Sequence, residues 1–197
     1  MREDCNFRGD HWASVAGTIV LTVTLGLYIV GFFSGSWAYG VLVSSEVSVE
    51  VNLGLWTVCG CEVRTDGLNI CTCTSIEEGH LGITLEVWHN AVRIFAAVSL
   101  SLLVFAMVTT FIFICWKPRP KMRVMTIVLV IAAGSLSLAS IIVFPVKLLE
   151  DKSPINWTLG YSYVLVVFAT GACLLMLAPL FIIGHVRTLV VKDKQEQ

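Results

Sequence analysis

Between His11 and Glu46, 34 consecutive residues carry no charge. Runs of 23 uncharged residues follow between Arg93 and Lys117 and between Arg123 and Lys147, and a fourth apolar block covers about 159–184. Crossing the hydrocarbon core of a bilayer takes about 20 apolar residues at ~1.5 Å rise each, so each block suffices for one crossing and none for two. A soluble bundle of wholly buried helices would need a polar shell. With 14% charged residues and a mean hydropathy of +0.83, against roughly 25% charged in soluble domains, this chain cannot supply one. The expected fold is a membrane all-α bundle of four transmembrane helices, a single domain over residues 1–197. Its spans fall at about 12–34, 91–116, 124–146 and 159–184, with outer loops at about 35–90 and 147–158. The first block follows an acid-containing start, MREDCNFRGDH, and exceeds the roughly 7–15 residues of a signal-peptide core, so it reads as an uncleaved signal anchor.

Orientation follows from basic residues near the spans. Lys117, Arg119, Lys121 and Arg123 lie between spans two and three, Arg187, Lys192 and Lys194 in the tail, and Arg2 and Arg8 at the start. Nine of the 13 basic residues thus share one face. Both termini are expected in the cytoplasm and both loops outside, in a multi-pass protein of the plasma membrane. The formal net charge of −1 gives no footing for a nucleic-acid partner.

In the long loop, Val47, Val49, Val51, Leu53 and Leu55 alternate with polar or small residues, the period of a half-buried strand. Four of the seven cysteines follow within GLWTVCGCEVRTDGLNICTC, residues 54–73. Outside the cell, disulfides persist. If Thr65-Asp66-Gly67 forms a three-residue hairpin loop, Arg64 faces Leu68, Cys61 faces Cys71 and Cys59 faces Cys73, with both pairs on one face. A two-residue Asp66-Gly67 turn would instead set Cys61 opposite Thr72. Four cysteines allow three connectivities, and the nested one, Cys59–Cys73 with Cys61–Cys71, is favoured on the longer turn. A four-sulfur zinc site fits less well, because Cys-x-Cys is tighter than the usual ligand spacing, and the Cys-x-x-Cys of a redox dithiol is absent. Bridges of this kind would stiffen a hairpin that is marginal alone.

Trp37 at the end of span one, Gly54-Leu55-Trp56, Cys59 with a second cysteine, and Arg93 at the start of span two together resemble the claudin superfamily. That group holds claudins, peripheral myelin and epithelial membrane proteins, the lens fibre intrinsic protein and calcium-channel gamma-type subunits. The resemblance covers the whole chain in topology and is most specific over residues 37–93. LGYSYVLVVF (159–168) looks more like the epithelial membrane, lens and gamma-type branches. The resemblance implies a left-handed bundle, a small extracellular antiparallel β-sheet anchored at the membrane surface around Trp56, and a hydrogen bond from Arg93 to that sheet. Snorkelling to the headgroups is the other reading of Arg93. Three features depart from the family. Its members usually have one loop disulfide, and here GLW-x-x-C selects Cys59 while Cys61 and Cys71 have the family's spacing. The tail, VVKDKQEQ, lacks the terminal hydrophobic residue by which many claudins engage PDZ scaffolds. The second outer loop is short.

Gly31 and Gly35 form a GxxxG, and Gly134, Ser135, Ser137, Ala139 and Ser140 crowd span three with small residues, which suits close helix packing within the bundle or lateral self-association. Glu46, Glu50, Glu62, Asp66, Glu77, Glu78 and Glu86 face only Arg64 in the loop body, a solvated acidic surface or the lining of a cation-favouring path. Asn156-Trp157-Thr158 is a glycosylation sequon set close to span four. Cys115, beside the basic loop, is a palmitoylation candidate. Pro179 is expected to bend span four. His11, His80, His89 and His185 show no ligand spacing, and no catalytic, phosphate-binding or dinucleotide motif occurs, so neither a metal, a cofactor nor catalysis is expected. The reading is a non-enzymatic membrane protein that makes contacts through its outer sheet at cell junctions or adhesion sites, by self-association in cis or trans or with another membrane protein. The alternative is an auxiliary, gamma-type subunit that modulates a channel or receptor in the same membrane.

Overall fold

A computed structural model of the chain describes residues 12–43, 48–63, 69–76, 87–115, 120–150 and 155–186. In chain order the elements are α1 (Trp12–Phe33), β1 (Ala38–Val43), β2 (Ser48–Leu53), β3 (Thr57–Val63), β4 (Asn69–Ser75), α2 (Val87–Cys115), α3 (Pro120–Glu150), β5 (Asn156–Leu159) and α4, which starts at Tyr161–Gly171. Helix α4 continues through a π turn, Ala172–Leu177, to residue 186. Among the described residues four helices are long and apolar enough to cross a membrane: Val15–Phe33, Val87–Phe113, Lys121–Glu150 and Tyr161–Val186. The protein is an integral, multi-pass membrane protein with a small antiparallel sheet.

Helix ends differ from the hydropathy boundaries. Helix α2 starts at Val87, not residue 91, and α3 covers 120–150 rather than 124–146. Apolar runs locate the stretch in hydrocarbon, whereas a helix persists into the polar flanks. Pro120 sits at the first position of α3, where its missing N–H costs nothing. At 31 residues α3 measures about 46 Å, well beyond the ~30 Å core. Residues 156–159, expected as loop and the first residue of span four, form β5 instead.

Packing divides the chain into two units. The first comprises Met1–Gly26, Ala97–Ser137 and Phe168–Gln197. In it α1 meets α2 where the Thr22 hydroxyl reaches Met107 Sδ at 3.9 Å. Helix α2 meets α3 where Ser99 Oγ donates to the Ala133 carbonyl at 2.8 Å and the Thr109 and Thr126 hydroxyls pair at 2.9 Å. Helix α3 meets α4 through Ser137 and Thr170, whose hydroxyls lie 2.5 Å apart, and at Gly134, where a Cβ would lie 2.6 Å from Leu174. The circuit closes at Gly17 of α1, tight against the Phe181 ring of α4. Arg123, 7% exposed, donates to the Gly184 carbonyl and lies 4.8 Å over the Phe113 ring. The Gly184 carbonyl and the Phe113 ring thereby help to satisfy a buried cation. The Pro179 expected to bend the helix lies just past the π turn. The Ala178 N–H reaches back five residues to Cys173, and Pro179 offers no N–H to resume the ladder.

The second unit comprises Leu27–Ala96 and Leu138–Val167 and contains the sheet. Its helix segments follow the same circuit. Tyr28 OH donates to Ala96 O (3.2 Å), Ser140 Oγ to Val92 O (3.3 Å) and Tyr163 OH to Ile141 O (2.8 Å). Gly31 meets α4 so closely that a Cβ would lie 2.7 Å from Val166 and 2.9 Å from the Ser162 carbonyl. The first glycine of the GxxxG therefore packs within the chain. The bond to Ile141 has a local cause. Pro145 has no N–H for the carbonyl four residues back, which is that of Ile141, and the Tyr163 phenol takes its place.

The sheet order is β4-β3-β2-β1-β5, every pair antiparallel. Across it Leu53 faces Ala38 and Val58, and Val51 faces Gly40 and Gly60, a buried face in line with the alternation in sequence. The opposite face carries Tyr39, Glu50, Asn52, Cys59 and Cys61. Val63 faces Asn69, Cys61 faces Cys71 and Cys59 faces Cys73, and both pairs are bonded with Cα atoms 4.0 Å apart. This is the nested connectivity of the three. The turn on which it was argued, Arg64 to Leu68, lies outside the described residues.

Candidate functional site

The sheet joins the helices at a seam built from the ends of α1 and α2, the turn between β2 and β3, and the start of α4. All of it belongs to the second unit. Helix α1 ends without a glycine cap, leaving carbonyls to be satisfied. The Val30 carbonyl accepts the Ser34 N–H (3.1 Å), the Gly31 carbonyl the Trp37 indole N–H (2.8 Å), and the Phe32 carbonyl the Trp56 indole N–H (3.2 Å). Two tryptophans thus cap one helix, and the second arrives from the sheet.

Trp37 is fully buried. Its ring meets Phe144 edge-on at 5.2 Å and Tyr163 at 6.0 Å, and Trp88 lies 6.1 Å from Phe144. Its backbone also joins strands to helix, since Trp37 N donates to Leu53 O and Gly160 N donates to Trp37 O, both at 2.8 Å. Gly160 is obligatory, because a Cβ there would overlap the Ser36 carbonyl. Beside it Ser34 Oγ lies 2.5 Å from Ser162 Oγ and 3.1 Å from the Tyr161 hydroxyl.

The Gly54-Leu55-Trp56 turn is closed by Gly54 N donating to Thr57 O at 2.8 Å. Gly54 is needed for space: a Cβ would come within 2.8 Å of the Gly35 Cα. That contact, with Thr57 Oγ1 3.3 Å from a Cβ on Gly35, uses the second glycine of the GxxxG against the sheet. Leu55 is fully buried, and its carbonyl accepts the Arg93 Nε. The Arg93 guanidinium lies 5.2 Å from the Trp56 ring centre, whose other neighbour is Phe32 at 5.3 Å. Arg93 is 8% exposed, so the Leu55 carbonyl and the indole face take the place of water. Fully buried His89 stands one turn before it, with its ring 5.6 Å from Trp88.

Trp37, Gly54, Leu55, Trp56 and Arg93 therefore meet in one cluster. Cys59 does not join them. It leaves β3 on the face opposite buried Val58 and, with Cys61, Cys71 and Cys73, forms the two staples away from the seam. On that same face the Tyr39 phenol is held above its ordinary 10.0, first by desolvation and then by its hydrogen bond and charge interaction with Glu50. Asn156 is exposed on β5, and Thr158 Oγ1 donates to Tyr39 O at 3.1 Å. Cys115 closes α2, and its side chain lies outside the described residues, as do Glu46, Asp66, Glu77, Glu78 and Glu86 of the acidic set, His11 and His80, and the basic residues outside 120–186 other than Arg93. Among the described residues no three His, Cys, Asp or Glu side chains gather as a metal site.

Sequence reading missed Phe144, Tyr163 and Gly160, since nothing near them signals that they meet residues more than a hundred positions away. The arrangement has a mechanical use: it holds a stapled sheet in fixed register on the helix ends. Neither models of known protein families nor curated proteins match this sequence.

Proposed function

We propose that this chain is a non-enzymatic plasma-membrane protein of claudin type, with cytoplasmic termini and an extracellular sheet that makes contacts at cell junctions or adhesion sites. The observation that carries the reading is the seam. Arg93, Trp56 and Trp37 tie the sheet to three helix ends, and two disulfides stiffen its far hairpin. A surface held this firmly loses little conformational freedom when it associates. The excess of Lys and Arg on the opposite side of the spans, and disulfides suited to an oxidising compartment, support the orientation. Contacts would form side by side within one membrane and between loop tips across two.

The test uses tagged full-length protein in cells without junction strands, mixed with untransfected neighbours. Signal is compared at boundaries where both cells express the protein and where only one does. Enrichment confined to two-sided boundaries is the expected result. An even distribution would refute self-adhesion and favour the auxiliary-subunit reading, whose own mark is copurification of a channel or receptor from the same membrane.

A further inference from the structure

We infer that Asn156 is an N-glycosylation site, modified before β5 pairs with β1; the inference rests on the outward orientation proposed above. Asn156-Trp157-Thr158 is the chain's single Asn-x-Ser/Thr triplet. In sequence it stands five residues before the start of α4, which argues against access. The fold weakens that objection. Asn156 to Leu159 is a strand, not a helical lead-in, so these residues advance about 3.3 Å each rather than 1.5 Å. The register sets Leu159 opposite Ala38, beside the end of α1, and Asn156 opposite Val41, three pairs along. Asn156 thus stands about 10 Å farther along the strand than Leu159.

Its surroundings can hold a sugar. Among the described residues, strand β5 is the last in the sheet order and pairs with β1. Asn156 is exposed and shares the face of Glu50 and the disulfides, away from buried Val51, Leu53 and Val58. A glycan there displaces no core residue.

The chemistry is transfer from a polyprenyl-diphosphate-linked oligosaccharide. Asn156 Nδ2 attacks the sugar's C1, the C–N bond forms as the C1–O bond breaks, the lipid diphosphate leaves, and the amide proton passes to a base of the transferase. The triplet needs its hydroxyl free for the transferase. In the folded protein the Thr158 hydroxyl instead donates to Tyr39 O at 3.1 Å and the β5 backbone is engaged with β1. Transfer and docking of β5 therefore compete, and a variant that docks more slowly should carry more sugar. Gly160→Ala is such a variant, because its Cβ opposes the return of the chain at Ser36.

The experiment expresses the full chain, tagged at each terminus, in mammalian cells and follows its mobility with and without an amide-cleaving endoglycosidase. Expected is one downward step in the wild type and in Thr158→Ser, none in Asn156→Gln, and a larger modified fraction in Gly160→Ala. Tag accessibility before and after permeabilisation reads orientation separately. No step with both tags inside overturns the glycosylation and leaves the orientation standing. Tags exposed on intact cells overturn the orientation and this inference with it. A step that survives Asn156→Gln places the sugar elsewhere and overturns the assignment. A modified fraction unchanged in Gly160→Ala overturns the competition with docking.

Discussion

Pro145 and Tyr163 form a pair whose energetics can be isolated. The proline removes the N–H that the Ile141 carbonyl would receive within α3, and the Tyr163 phenol supplies a donor at 2.8 Å from α4. Tyr163→Phe keeps the ring, with its contacts to Trp37 and Phe144 at 6.0 Å each, and removes only the hydroxyl. A net protein hydrogen bond is worth about 0.5–1.5 kcal/mol, and a buried acceptor left unpaired costs about 1–3 kcal/mol. Interhelical bonds in membranes average ~0.6 and reach ~1.7 kcal/mol. The expected loss is therefore about 1–2 kcal/mol. At roughly 2–4 °C per kcal/mol for a chain of this size, Tm should fall by about 2–8 °C in detergent. In a Pro145→Ala background the restored N–H can serve Ile141 from within α3, so Tyr163→Phe should then cost less than about 0.5 kcal/mol. The four-variant cycle cancels the direct effect of changing a helix proline, leaving a coupling of about 1 kcal/mol. Equal costs of Tyr163→Phe in the two backgrounds would refute the idea that the phenol replaces the missing donor.

Arg93→Met should loosen the sheet from α2 by about 2–4 kcal/mol, the sum of a charged hydrogen bond and a partly desolvated cation–π contact; hydrogen exchange over residues 48–63 should accelerate by ~30-fold or more, and a change under twofold would contradict the seam. Removing Cys61 and Cys71 together, or Cys59 and Cys73 together, should cost less than half of what removing all four costs, because either bridge already closes most of the other's loop; denaturation of the three serine variants decides this. Gly31→Ala should lower Tm, its Cβ falling 2.7 Å from Val166, whereas Gly26→Ala, with nothing within 4 Å, should gain about 0.5–1 kcal/mol. Tyr39, raised above 10.0, favours folding fully below that pH and loses the contribution as pH rises through its folded value; Glu50→Gln should lower the phenolate transition only in part, because desolvation is the larger cause.

The spans were legible because hydrocarbon tolerates so little charge, and the disulfide register because a period of two carries facing pairs along any antiparallel hairpin. Helix ends were not, since hydropathy marks where lipid begins and not where hydrogen bonding stops. Strand β5 was hidden for another reason. Four residues, Asn-Trp-Thr-Leu, give too short a pattern, and their pairing with β1 depends on a partner more than a hundred residues earlier. Within the seam, the GLW motif and Arg93 could be singled out by resemblance alone. That the Leu55 carbonyl is the acceptor, that Trp56 caps α1, and that Phe144 and Tyr163 complete the aromatic cluster follow only from tertiary packing. Pro145 was passed over for the same reason: its sequence shows a lost donor but not the phenol that replaces it.

The capping of α1 by two indoles also bears on membrane thickness. Helix α1, Trp12–Phe33, is 22 residues and spans about 33 Å, while α3 offers 31 residues and about 46 Å. Helices longer than the bilayer can tilt, but a short one has no such freedom. With its last carbonyls held by Trp37 and Trp56, α1 cannot lengthen by drawing residues from the sheet. In a sterol-rich membrane of ~32–33 Å such a helix has no length to spare, and the lipid of any thicker bilayer would have to thin around α1 at a cost of fractions of a kcal/mol per Å. The sheet's grip on one helix would thereby make the protein a local sensor of bilayer thickness, with α1 as the side on which the mismatch is felt.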